Sequence, residues 1–119
     1  MLNVTWLKNT QNQWLPLPFN FGSVSPSPTL GVYIIWHGGQ TPRVVRVGQG
    51  DVAGRLSAHS RDPVITKYAQ FGGLYTTWAA VPIAYRDGVE RFLADRLNPL
   101  IGDRHPAVVP VPVNLPWAA

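Results

Sequence analysis

Short apolar runs separated by glycine and proline predict three strands in the middle of the chain. Residues 32–36 and 43–47 are rich in β-branched side chains, and the connection HGGQTP at 37–42 joins them, so the two runs predict an antiparallel hairpin. Residues 74–81, LYTTWAAV, are β-branched and aromatic and follow two glycines, which predicts a third strand.

Helical spacing of apolar residues is clearest over residues 88–98, where an apolar stripe follows one face until Pro99 ends the helix. Two shorter helices are predicted between the hairpin and the third strand. One covers 52–59 with Asp51 as its N-cap, and the other covers 62–70 with a proline in its first turn. This order of elements predicts a small α+β domain with a three-stranded, largely antiparallel sheet flanked by helices.

The first 29 residues are expected to form an N-terminal extension of this domain. Residues 4–7 are a candidate edge strand. A second apolar piece lies at residues 14–17, and Pro16 and Pro18 keep it from being a central strand. The Ser-Pro-Ser-Pro stretch at 25–28 predicts a linker into the hairpin.

The domain itself is expected to span residues 30–106, followed by a proline-rich tail at 107–119. Valine and proline alternate in this tail, which favours an extended, polyproline-like course over a packed element. Such a segment is also a candidate ligand for a protein partner.

Charge and composition narrow the class of protein. The 119 residues carry a net charge of +4, and eight of the ten basic residues are arginine, whose planar fork suits phosphate. This favours an anionic partner such as nucleic acid.

The absence of cysteine excludes disulfides and thiolate metal sites. No apolar stretch approaches the ~18 residues that span a bilayer and no signal peptide is visible, so a cytoplasmic protein without a membrane partner is expected.

A tyrosine and an arginine interrupt the two apolar strands of the hairpin. If the connection closes with Trp36 facing Arg43, Tyr33 lies directly opposite Arg46 on the same face of the sheet. A guanidinium beside a phenol favours the phenolate and lowers its pKa below the free value of ~10, which suits a general base. The alternative is a cross-strand pair that stacks on the solvated side of the sheet.

An ordered set of motifs resembles the GIY-YIG nuclease family. Gly31-Val32-Tyr33 corresponds to the family's Gly-Ile-Tyr, and Arg46-Val47-Gly48 corresponds to its Tyr-Ile-Gly, with arginine in place of the tyrosine. The helix after the hairpin carries Arg55-Leu56-Ser57-Ala58-His59, which matches Arg-Leu-x-x-His. Glu90, the only glutamate, lies on the later helix, and residues 97–102 form a proline-containing closing segment. The resemblance covers the whole predicted domain.

The resemblance implies hydrolysis of a phosphodiester with one divalent cation, Mg²⁺ or Mn²⁺. It implies that Glu90 binds this cation, which takes oxygen ligands and keeps several waters. Tyr33 would act as general base with the assistance of Arg46. Arg55 would stabilise charge on the phosphate, and His59 would relay a proton or hold the attacking water.

Three further residues are expected to contact the substrate. Gly48 lets a backbone or ligand approach closely, so it is expected to contact the substrate. Arg43 is also expected to bind the substrate. Asn98 lies just before Pro99, near the place where the family has an asparagine and this chain has Gly102.

Simpler structural roles compete with these assignments. Residues 87–90, Asp-Gly-Val-Glu, are spaced like a capping box, in which the acid at the third helical position bonds back to the N-cap. Arg55 and His59 are four residues apart and share one helix face, which would also be compatible with a solvated surface.

The favoured function is therefore a metal-dependent endonuclease that acts on DNA more than on RNA. A double-strand break by one active site per chain needs two protomers, as in a homodimer, or two successive nicks. The main alternative is a non-catalytic nucleic-acid-binding module on the same fold. A third interpretation is an interaction protein that presents its proline-rich tail.

Overall fold

A mixed arrangement of strands and helices is found in the computed structural model, which describes residues 1–18, 30–102 and 105–117. The strands are β1 (Leu15–Pro16), β2 (Leu30–His37), β3 (Arg43–Asp51) and β4 (Leu74–Ala80). The helices are α1 (Val52–His59), α2 (Pro63–Thr66), a 3₁₀ helix (Lys67–Phe71) and α3 (Ile83–Leu97). The predicted α+β class is thus confirmed.

The sheet of the described residues has four strands rather than the predicted three. All of its pairs are antiparallel, in the order β1-β4-β2-β3. The additional strand is the second N-terminal apolar piece, in which Leu15 pairs with Thr76 of β4. An edge position tolerates Pro16, because a proline has no N–H to offer to a further strand. The predicted edge strand at residues 4–7 is wrong, although the Leu7 amide does donate to the Trp78 carbonyl of β4 at 3.0 Å.

Strand β2 is the centre of the molecule, with residues 31–37 all buried. One face of the sheet, which includes Tyr33 and Ile35, packs against α1, whereas the other packs against α3. The strand is therefore apolar at consecutive positions, and its motif tyrosine points towards α1.

Helix α1 has the predicted bounds, whereas the helix predicted over 62–70 is α2 from Pro63 followed by the 3₁₀ helix, and α3 begins earlier than predicted. Asp62 caps α2 by accepting from the Val64 amide at 3.0 Å, whereas Asp51 makes no side-chain cap bond to α1. Helix α3 begins at Ile83, so Glu90 lies in its interior. The capping-box interpretation of Glu90 is therefore wrong. None of the described helices has the length and apolar character needed to cross a membrane.

The two ends of the chain pack against each other and against the sheet. Asn114 accepts from the Val4 amide at 2.7 Å and donates to the Val4 carbonyl at 2.9 Å. Trp6 donates from its indole to the Asn114 carbonyl at 2.8 Å, and Val113 is buried. The expectation of a tail that stays extended without packing is therefore wrong for residues 111–117, whereas residues 107–110 are exposed. The predicted linker at 25–28 lies outside the described residues.

Candidate active site

A cavity of about 150 Å³ lies beside strand β3 and is lined by side chains from both faces of the sheet. Its lining residues come from β2, β3, α1, α3 and the segment after α3: Tyr33, Arg46, Val47, Gly48, Gln49, Arg55, Glu90 and His105. Four of the five side chains predicted to be catalytic are among them. The fifth, His59, forms a hydrogen bond to one of these four.

Tyr33 and Arg46 lie on the same face of the sheet, but they are not directly opposite each other. Tyr33 pairs with Gly48, and Arg46 pairs with Ile35. The predicted register is wrong by two residues: the hairpin closes one residue later than expected, and a β-bulge adds the second. A shift of two preserves the face of each side chain, so Tyr33 and Arg46 are diagonal neighbours.

The phenol ring of Tyr33 lies over the backbone of Gly48. A Cβ atom on Gly48 would overlap the Oη and Cζ atoms of that ring. Only glycine leaves this space, so Gly48 is explained by the packing of Tyr33 even before any substrate is considered.

The Tyr33 hydroxyl forms a hydrogen bond to the Nε2 atom of His59, at 2.7 Å. His59 is the last residue of α1, one turn after Arg55, and this spacing turns both side chains to the same side of the helix. The helix therefore presents a proton acceptor and a cation to the same phenol.

Burial is the main influence on the pKa values of Tyr33 and His59. It raises the pKa of Tyr33 above 10.0, against the lowering effect of the neighbouring Arg46 and Arg55 guanidiniums. The prediction that Arg46 produces a net lowering of the Tyr33 pKa is therefore wrong. Burial, helped by the charges of Arg46 and Arg55, lowers the pKa of His59 from 6.5 to about 4. At neutral pH both partners are uncharged, so the phenol keeps its proton and the imidazole can accept one.

The two guanidiniums at the cavity have no described anionic partner. The ion pairs among the described residues join Arg91 to Asp95 and His105 to Glu90. The Nε atom of Arg46 is buried and makes no hydrogen bond to any residue that the structure describes. A buried donor that lacks a hydrogen-bond acceptor destabilises the folded protein by ~1–3 kcal/mol. A bound anion such as a phosphate would supply the missing acceptor.

Glu90 contributes the carboxylate of the cavity. Its side chain is 9% exposed, and its Oε2 atom is 2.8 Å from the Nδ1 atom of His105. Over the described ranges, no group of three or more His, Cys, Asp or Glu residues could hold a metal ion together. A cation here would take one protein carboxylate and complete its shell from water and substrate.

Two predicted substrate-binding residues are placed elsewhere. Arg43 is exposed and lines a separate cavity, together with the indoles of Trp14, Trp36 and Trp117. Asn98 is exposed and has a φ of 48°, the left-handed conformation that ends α3. Neither residue lines the cavity that contains Tyr33.

Three lining residues were not predicted as site residues: Val47, Gln49 and His105. Gln49 follows the Arg-Val-Gly motif directly and donates from its side chain to Asp87 of α3 at 2.6 Å, which joins β3 to α3. Its position next to the motif is the one indication that could have identified it. No local pattern identifies His105, because its contact with Glu90 depends on the path of the chain after α3.

Comparison with protein-family models, curated proteins and solved structures finds no match to this chain. The chemistry of the cavity therefore has to be argued from its own geometry.

Proposed function

We propose that this protein is a metal-dependent endonuclease of the GIY-YIG type, which hydrolyses phosphodiester bonds in DNA in preference to RNA. The observation that carries the proposal is the convergence in one cavity of a phenol, a carboxylate and two guanidiniums that form no ion pair with the described residues. These groups come from four elements, of which β2, β3 and α1 are consecutive along the chain and α3 is distant from them. A cytoplasmic location would give such an enzyme access to nucleic acid.

The order of the elements supports the same proposal. The strand with the Gly-Val-Tyr motif is central, the strand with Arg-Val-Gly pairs with it, and the helix with Arg55 and His59 follows directly. In this interpretation β1 is an addition at the edge of a GIY-YIG-like core.

The donor set at Glu90 fits a hard divalent cation such as Mg²⁺ or Mn²⁺. One carboxylate oxygen is bonded to His105, and no described side chain donates to the other. Such cations accept a single carboxylate and keep their remaining ligands as water and phosphate oxygens. When bound, the cation would stabilise negative charge on the phosphate and on the leaving oxygen.

The general base in this proposal is the Tyr33–His59 pair rather than a phenolate. An attacking water gives a proton to the Tyr33 oxygen while the phenol passes its own proton to Nε2 of His59, which leaves an imidazolium. The hydroxide forms a bond to phosphorus and the bond to the leaving oxygen breaks. A neutral pair of this kind needs no net ionisation of the buried phenol.

Arg46 and Arg55 bind the phosphate and also tune the base. Their charges contribute to the low pKa of His59. A phosphodiester bound between them brings a negative charge that offsets this effect, so His59 becomes a stronger base when the substrate is present. The site would thus be activated by its own substrate.

The alternative is a non-catalytic nucleic-acid-binding module, and one observation favours it. Arg46 occupies the place where the family has a catalytic tyrosine, and a cavity lined by two arginines can bind phosphate without cleaving it. Such a module would bind with strong salt dependence, because each phosphate contact releases counterions.

Incubation of the full chain with single-stranded DNA, duplex DNA and RNA, with Mg²⁺, with Mn²⁺ and with EDTA, separates the two functions. The enzyme predicts cleavage that depends on the metal and is strongest on DNA. Salt-sensitive binding without cleavage under every condition would support the binding module instead.

A further inference from the structure

His105 and Glu90 form an isolated buried pair beside the candidate active site. The Nδ1 atom of His105 lies 2.8 Å from Oε2 of Glu90, and the two side chains are 14% and 9% exposed. A carboxylate oxygen accepts hydrogen bonds, so the imidazole donates from Nδ1.

Among the described residues, no second polar partner holds the ring: the Nε2 atom of His105 is buried and makes no hydrogen bond to any of them. Gly102 leaves room beside it, since a Cβ at that position would come within 3.2 Å of Nε2. The carboxylate of Glu90 is thus the polar contact that orients this imidazole among the described residues.

A histidine that serves packing is found elsewhere in the chain and is held differently. The ring of His37 is stacked on Tyr68 with centroids 6.2 Å apart and also contacts Phe71. Its Nδ1 bonds to the neighbouring Gly38 carbonyl at 2.9 Å. No aromatic stacking of this kind is described for His105, which instead lines the cavity beside Tyr33, Arg46 and Arg55.

We propose that His105 is a positioning residue for Glu90. By donating to one carboxylate oxygen, it fixes the rotamer of Glu90 and leaves the other oxygen to face a divalent cation. Hydrogen bonds of this kind to metal-binding carboxylates raise metal affinity, and their removal weakens it by ~10–100-fold. This inference rests on the proposed function, and it gives the segment after α3 a role in the site.

The test is a titration of the full chain with Mn²⁺ alone, followed by electron paramagnetic resonance. His105→Leu removes the donor and keeps an apolar volume, whereas His105→Asn keeps an amide donor near the position of Nδ1. We expect His105→Leu to bind Mn²⁺ ~10–100-fold more weakly and His105→Asn to recover most of the loss. In a Glu90→Gln background, His105→Leu should have no further effect.

Two different failures can be told apart. If Mn²⁺ binds the wild type through Glu90 but His105→Leu binds equally well, the positioning role is overturned and the metal assignment stands. If the wild type does not bind Mn²⁺, or Glu90→Gln binds it unchanged, the metal site of the proposed function is overturned together with this inference. Thermal unfolding of each variant checks that a loss of binding is not a loss of folding, and His105→Asn carries the test if His105→Leu does not fold.

Discussion

The hydroxyl of Tyr33 and the Nε2 atom of His59 are joined by a hydrogen bond of 2.7 Å across β2 and α1. Burial keeps the phenol protonated and the imidazole neutral at physiological pH. In the proposed function, this hydrogen bond lets the two residues act together as one base.

Removal of the phenol oxygen should abolish most of the chemistry and leave the fold intact. General base catalysis typically contributes ~10²–10⁴-fold, so we expect Tyr33→Phe to lower the single-turnover cleavage rate by about this factor. Substrate binding should be retained, because Arg46 and Arg55 are unchanged. The check is a cleavage assay in parallel with a binding assay, and a Tyr33→Phe protein that cleaves at the wild-type rate would contradict the relay.

Two glycine substitutions should have opposite effects on stability. Gly48→Ala places a methyl group against the Tyr33 ring and should destabilise the protein by ~1–3 kcal/mol, with loss of cleavage, since buried overpacking displaces neighbours. Gly54→Ala in α1 meets only the Asp51 carboxylate, which makes no cap bond and can move. Alanine favours the helix, so this variant should gain up to ~1 kcal/mol. Urea unfolding measures both, and equal effects would be inconsistent with the packing described.

The lowered pKa of His59 predicts a specific dependence of stability on pH. The folded value is about 4 and the ordinary value is 6.5, so the unfolded chain binds the extra proton between these two pH values. Stability should therefore fall as the pH is lowered from 6.5 to 4, with a contribution from His59 of ~1–3 kcal/mol. His59→Gln should remove this part of the slope in unfolding measurements. Identical slopes for the two proteins would mean that His59 titrates normally.

The tail should be needed for folding rather than only for a partner. Asn114→Ala loses both hydrogen bonds to the Val4 backbone and should destabilise the protein by ~1–3 kcal/mol. Val109→Ala is the control, because Val109 is 84% exposed and should change stability by less than ~0.5 kcal/mol. Removal of residues 107–119 should unfold the chain. A truncated protein with native stability would restore the interpretation of a free ligand segment.

Much of the fold could be predicted because local patterns and tertiary packing agree there. The helix at 52–59 and the strand pair around Tyr33 follow from apolar spacing and from the turn residues between them. The start of α3 could not be predicted, because Gly88 looks like a helix breaker. In the structure Gly88 gives room to Val111 of the tail, and its carbonyl accepts from the Val111 amide at 2.9 Å. This glycine therefore serves a contact with a distant segment, which no local pattern shows.

The residues of the candidate site could be predicted better than the contacts between them. Tyr33, Arg55 and Glu90 could be identified from ordered motifs, but the partner of each depends on three-dimensional placement. The later closure of the hairpin and its bulge together moved Arg46 away from direct opposition to Tyr33, and burial then outweighed its charge. His105 was missed because a residue in an irregular segment has no periodicity from which its neighbours can be inferred.

The central claim is that the cavity around Glu90 is a metal-dependent nuclease centre. The most direct measurement compares single-turnover cleavage of a DNA duplex in Mg²⁺ by the wild type, by Glu90→Gln and by the matched control Asp95→Asn. Asp95 lies on the same helix, but it is an exposed partner of Arg91. The account predicts cleavage by the wild type and by Asp95→Asn, and none by Glu90→Gln at equal stability. Undiminished cleavage by Glu90→Gln, or no cleavage by the wild type on any nucleic acid, would contradict it.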